Sequence, residues 1–299
     1  MYTIKSLDKS TATLYQELTF PSFQPRLQTL EAQGATIAIG ASLMQQPFGL
    51  ALAEIQNDSR AAKILSLFVK PRYRRLGVGT ALLAQLEETL SHKGCTKAEI
   101  VYTSGNPSTA ALERLLQKLN WTPPQPRMLL CKSTTEKIVA APWLYRYSLP
   151  SEFTILPWFE LTLAQRRRIQ LRQNQQRWYP DALTPFHDEN KLEPLNSLCL
   201  IYQTEVVGWM ITHRIASNMI RYTSLFVRQD LQKLGRAIPM LTEAIKRQVN
   251  SEVFYGIWTV SIDNRRMVNF VNRRLAPYMI SMAQTQGAIK WLTETKTRL

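Results

Sequence analysis

Cysteine and histidine are scarce in this chain, and each shortage excludes something. The three cysteines, Cys95, Cys131 and Cys199, lie far apart with no Cys-x-x-Cys pair. That excludes a zinc finger or ribbon and points to a reducing compartment, read here as the cytoplasm. The three histidines, His92, His187 and His213, are equally scattered. Each reads as a surface or internally satisfied residue, so no metal is expected and no Ser-His-Asp or Cys-His arrangement stands out. Long apolar runs are also missing: nothing approaches the roughly 20 residues of a membrane-spanning helix. The opening MYTIKSLDKS lacks the basic-then-apolar pattern of a signal peptide. Acidic residues are outnumbered, 22 against 37 basic ones, for a net charge of +15. Such an excess attracts nucleic acid, an anionic cofactor or an acidic partner without choosing among them. Its densest run is Arg166, Arg167 and Arg168, with Arg172 and Arg177 following. These read as a solvated helix face or as a landing strip for RNA phosphates; nucleic acid is admitted but not favoured.

Glycine is sparing too, with 11 residues, so two in one loop are informative. They stand in SLFVKPRYRRLGVGTALL, residues 66–83. A short apolar run ends at Pro71, which suits a strand end because proline cannot donate to a ladder. Beyond the glycines, Val78, Leu82, Leu86 and Leu90 recur at helical spacing, and Gly94 is placed as a C-cap. The unit is strand, basic glycine loop, helix. A helix start has free N–H groups and partial positive charge, glycine lets a ligand approach the backbone, and Arg72, Arg74 and Arg75 add full charges. The expected ligand is a phosphate-bearing anion. It is not held by a nucleotide P-loop, because GxxxxGK[ST] is absent, nor by GxGxxG, because the third glycine is missing.

The order Arg74-x-x-Gly77-x-Gly79 behind a strand ending in Val69 resembles motif A of the GNAT N-acetyltransferase superfamily, [Gln/Arg]-x-x-Gly-x-[Gly/Ala], which holds the pyrophosphate of acetyl-CoA. The resemblance implies acetyl-CoA as co-substrate, bound by Arg74, Arg75, Leu76, Gly77, Val78, Gly79 and Thr80. It implies that the main chain of Leu67, Phe68 and Val69 runs beside the pantetheine arm and offers an N–H to the oxyanion. Asn106 resembles the motif B asparagine that follows the fifth strand, a position that also suits a cap. The implied reaction is direct attack by an amine-bearing acceptor, with no covalent enzyme intermediate. One departure is clear. Many family members carry a proton-donating tyrosine about seven residues after that asparagine, and the stretch 110–116 has none. Tyr102, Ser104 or a water is the substitute, with a core role open for Tyr102. Glu54 is the best-placed carboxylate for a base, and an exposed strand end is its other reading.

A search for repeats finds a second copy. Ser224-Leu225-Phe226-Val227 repeats Ser66-Leu67-Phe68-Val69 at an offset of 158 residues, and Leu234-Gly235, Leu241 and Asn264 match Leu76-Gly77, Leu83 and Asn106 in that register. The second loop, Gln232 to Ala237, also satisfies motif A, but Arg236 replaces Val78, Gln232 replaces Arg74 and Asp230 stands nearby. The expected fold class is α/β: two tandem GNAT-type domains, each a mixed, mostly antiparallel sheet splayed between strands 4 and 5 and flanked by helices. Domains are expected at 1–145 and 146–299, with a linker within 133–152. First-copy strands are expected at 2–7, 35–43, 48–54, 62–69, 97–103 and, last, 127–132; the second copy is expected to end on a strand at 279–283. The first helices, with Phe20 to Arg26, would shape the acceptor site. Trp178 to Asp181 and His187 to Glu189 fill the matching region of the second copy. The leading reading is an acetyl-CoA-dependent N-acyltransferase working in the first copy. Its rivals are a working site in the second copy and a non-catalytic module that binds RNA or an acidic partner. The chain is expected to be a monomer with an internal pseudo-dimer, or a homodimer.

Overall fold

The computed structural model describes residues 2–31, 34–56, 60–232 and 235–292. In chain order the elements are β1 (Thr3–Ser6), α1 (Lys9–Ala12), α2 (Gln24–Gln28), β2 (Thr36–Leu43), β3 (Gln46–Gln56), β4 (Ala61–Val69), α3 (Val78–His92), β5 (Lys97–Thr103) and α4 (Thr109–Lys118). Then come β6 (Gln125–Thr134), α5 (Thr135–Ile138), β7 (Phe153–Pro157), α6 (Leu163–Gln176), β8 (Leu198–Tyr202), β9 (Glu205–Ala216) and β10 (Met219–Val227). The chain closes with α7 (Gln229–Gln232), α8 (Ala237–Val249), β11 (Tyr255–Ser261), α9 (Arg265–Phe270) and β12 (Ser281–Trp291). No described helix is long and apolar enough to cross a membrane.

The chain divides into two compact units, one of residues 1–127 with 285–299 and one of residues 128–284. The first unit has the strand order β1-β2-β3-β4-β5-β12. Its neighbours are antiparallel except β4 and β5, which run parallel. Helix α3 returns over this sheet because Val78, Leu82, Leu83, Leu86 and Leu90 form one buried stripe. Each fully buried leucine contributes about 1.5–3 kcal/mol. The second unit has the order β6-β11-β10-β9-β8-β7, again antiparallel except for the parallel pair β10 and β11.

The sixth strand of each unit corrects the expectation. The strand at 127–132 was expected to close the first copy, but as β6 it pairs with β11 of the second unit, from Thr134↔Tyr255 to Met128↔Ser261. Conversely β12, longer than the strand expected at 279–283, pairs with β5 of the first unit, from Thr285↔Thr103 to Trp291↔Lys97. The two final strands are exchanged between units. Nor is 133–152 a bare connector. It holds α5 and buries Ile138, Trp143 and Leu144 in the second core. The Trp143 indole donates to the Arg274 carbonyl at 3.0 Å and its ring meets Phe270 edge-on.

Candidate functional site

In both units the parallel pair is joined only at its start. β4 meets β5 from Ala61↔Lys97 to Ile64↔Ile100, and β10 meets β11 from Met219↔Tyr255 to Tyr222↔Trp258. Just past that point each outer strand bulges against its antiparallel neighbour. Leu65 is left over between Ile64↔Ala53 and Ser66↔Leu52, and Thr223 between Tyr222↔Thr212 and Ser224↔Ile211. A bulge bends and twists its strand, so β4 and β10 turn away from their parallel partners. The offset seen in the sequence holds residue for residue. Leu67, Phe68 and Val69 thus keep β3 on one edge with no strand on the β5 side, their side chains half-buried.

The first turn is built to stay open. The Lys70 N–H donates to the Phe48 carbonyl at 2.8 Å, and Tyr73 packs on the Phe48 ring at 4.2 Å. The Arg74 Nε–H donates to the Val69 carbonyl at 2.8 Å, which folds the turn back on the strand end. Gly77 caps α3 at φ +77°, a left-handed conformation, and a Cβ there would meet nothing within 4 Å. Glycine is needed for backbone conformation, and the space in front is clear. No side chain caps α3, so the N–H groups of its first turn are free of side-chain acceptors. Lys70, Arg72 and Arg75 make no ion pair among the described residues. Gly79 has a different reason: a Cβ there would lie 3.1 Å from Leu115, so glycine lets α3 and α4 pack closely.

The second turn repeats this shape with Arg228 ion-paired. The Arg228 N–H donates to the Val207 carbonyl at 2.8 Å, and the Gln232 amide donates to the Val227 carbonyl at 2.8 Å, the counterpart of the Arg74 contact. Gly235 has φ +70° and open space in front. But Arg228 is held by Asp230 at 2.8 Å and Glu205 at 3.2 Å. Arg236 lies 4.9 Å over the Phe153 ring. Lys233 and Leu234 of this turn lie outside the described residues.

Residues 3–117 match the family model of the acetyltransferase (GNAT) family. A solved tandem GNAT protein from the clavulanic acid biosynthesis pathway is 12% identical with a TM-score of 0.66, covering 98% of this chain and 99% of that one. This is a tandem GNAT fold. A GCN5-related N-acetyltransferase from Sphaerobacter thermophilus is 17% identical with a TM-score of 0.65, over 97% of this chain and 96% of that one. Sequence comparison with curated proteins returned no match.

Within the first GNAT unit the other predicted residues separate into two groups. Carried forward, the parallel register sets Tyr102 level with Ser66, and Ser104 and Asn106 follow at the mouth of the splay. The Tyr102 hydroxyl donates to Glu113 of α4 at 3.0 Å. Burial first, then the Glu113 hydrogen bond and charge, hold its pKa well above the usual tyrosine value. Glu113 occupies the very helix position, seven residues after Asn106, where the resemblance expected a tyrosine. The Asn106 side-chain amide donates to the Thr103 carbonyl at 3.2 Å, and its counterpart Asn264 caps α9 through the Met267 N–H at 3.1 Å. Glu54 stands apart. It pairs across from Lys63, roughly 20 Å along β4 from Val69 at ~3.3 Å per residue, and is held by Arg26 at 2.9 Å.

The second GNAT unit holds a feature that the sequence did not announce. A cavity of about 470 Å³ opens between the diverging ends of β10 and β11. Thr223, the bulge residue, lies on its wall and is 2.7 Å from the His213 Nδ1, while the His213 Nε2 is 3.0 Å from the His187 carbonyl. The satisfied role expected for a histidine holds for His213, which takes the place that Glu54 has in the first unit. Trp178 and Tyr179, placed near an acceptor by sequence, pack edge-on against Trp209 and Phe226. Of the arginine run, Arg166 lies over Trp158 and reaches Glu189 at 3.5 Å, and Arg172 lies over Trp178 and reaches Glu205 at 3.8 Å. Arg167 and Arg168 remain exposed.

Proposed function

We propose that the chain is an acetyl-CoA-dependent N-acyltransferase whose working site is in the first unit. The observation that carries this is the Gly77 turn: an uncapped helix start, a left-handed glycine with clear space in front, and unpaired cations beside it. That donor set fits a diphosphate. The N–H groups of Gly77, Val78, Gly79 and Thr80, with Arg75, would hold it. Arg74 shapes the turn through the Val69 carbonyl, and Leu76 projects outward. The free edge of Leu67, Phe68 and Val69 offers main-chain groups to an extended arm, as an added strand would. Asn106 closes the mouth of the splay. Bound acetyl-CoA would supply the acetyl group as a thioester.

Tyr102, kept protonated by burial and Glu113, serves only as a proton donor; Ser104 stands beside it. The acceptor is an amine, and the transfer is direct. All three thiols are buried and held protonated, Cys131 pushed up to about 11, Cys199 to about 12 and Cys95 also upward, in each case chiefly by burial. None is suited to carry an acyl group.

A second reading places catalysis in the second unit, favoured by the cavity and by Thr223 on the His213 ring. Calorimetric titration of the full chain with acetyl-CoA decides between them. Wild type should bind in the micromolar range. Gly77→Glu should weaken binding at least 100-fold, a cost of about 2.7 kcal/mol, and Gly235→Glu should leave it within twofold. The reverse pattern moves the site to the second unit, and no heat with wild type removes both readings.

A further inference from the structure

We propose that the cavity of the second unit is a binding site for an uncharged aliphatic ligand, a flexible chain on a neutral head. This does not rest on the function proposed for the first unit. The cavity, about 470 Å³, has the size of a small-molecule site. Among the described residues no acidic or basic side chain lines it, so a charged head would lose its hydration with none of them to replace it. Its polar walls are largely engaged elsewhere. The Tyr222 hydroxyl donates to Gln248 at 2.7 Å, and the Gln248 amide donates to the Val253 and Tyr255 carbonyls at 3.0 Å. Ser224 donates to the Leu183 carbonyl at 2.8 Å. What remains for a ligand is mostly aliphatic: Leu225, Leu241, Ile245 and Val260, with Met128, Met210 and Met267. Methionine is unbranched and adapts its shape, which suits a flexible chain more than a rigid ring.

Two further observations narrow the ligand. The roof is preformed. Leu183 also accepts from the Trp209 indole at 2.9 Å, and Gln173 ties down the Tyr179 carbonyl at 2.9 Å. And in the neighbouring turn Arg228 is held by Asp230 and Glu205, which lowers that residue's pull on a diphosphate-bearing carrier. One difference between the copies opens space at the mouth of the cavity. Val260 stands where the first unit has Tyr102.

The test is calorimetric titration of the full chain with 1-decanol and with decanoate at neutral pH. Decanol should bind in the micromolar range and decanoate at least tenfold more weakly. Val260→Phe writes a large ring at a position whose counterpart already holds one. It should weaken decanol at least tenfold while leaving acetyl-CoA binding and the melting temperature unchanged. Should that variant fail to fold, Met267→Phe fills the same space from α9. Gly77→Glu should not alter decanol binding, which separates this site from the first unit's. Absence of decanol binding to wild type, equal binding of decanoate, or an undiminished affinity in the filled variants would each overturn the proposal.

Discussion

The turn after β4 and the turn after β10 share one backbone and differ in charge. In each, the first motif residue reaches back to the last carbonyl of the strand, Arg74 to Val69 and Gln232 to Val227, both at 2.8 Å. In each, a left-handed glycine starts the helix. So the alternative of arginine or glutamine at this position has a shape-based reason: both can donate one N–H at that reach. Charge is a separate property: among the described residues Arg72 and Arg75 of the first turn make no ion pair, whereas Arg228 of the second is held by Asp230 and Glu205. The form of the turn is therefore set apart from its charge.

The comparison extends into the cores, and the largest expected effects lie there. Leu90 of α3 is fully buried, whereas its counterpart Gln248 joins a polar network. Leu90→Ala should destabilise the chain by about 2–5 kcal/mol, through lost transfer energy and the cavity left behind, read by urea denaturation. Gln248→Leu writes the first unit's residue into the second, yet should cost about 1–3 kcal/mol, because the Val253 and Tyr255 carbonyls lose their donor and Tyr222 its acceptor. A stabilising Gln248→Leu would show that the two cores follow the same rule after all. The smallest effect concerns the turn. Arg74→Ala should weaken acetyl-CoA about tenfold, about 1.4 kcal/mol, while Arg74→Gln stays within threefold. Equal losses in the two variants would mean that charge, and not the Val69 contact, is what Arg74 supplies.

Much of this was legible in the sequence. The 158-residue offset predicted a second copy, and it holds through parallel registers, bulges and turns. The stretch after β1 was less readable: Pro21 and Pro25 break it into short helical turns. Glu54 followed chain order toward the site, but pairing with Lys63 carries it to the other end of the strand. The cavity was silent because its walls come from segments far apart in sequence that meet across a splay, and no local pattern encodes such a gap. Partner choice by β6 and β12 was silent too. A strand's own residues specify which face is buried, not which neighbour it joins.

That choice has a consequence for how the protein is made. Residues up to Thr103 leave the ribosome with the first five strands of the first unit, including the Gly77 turn, but β5 keeps a bare edge until β12 is translated. The first unit's sheet is therefore completed only once β12 has been made. A truncation that removes β12 should therefore leave the first unit with that open edge.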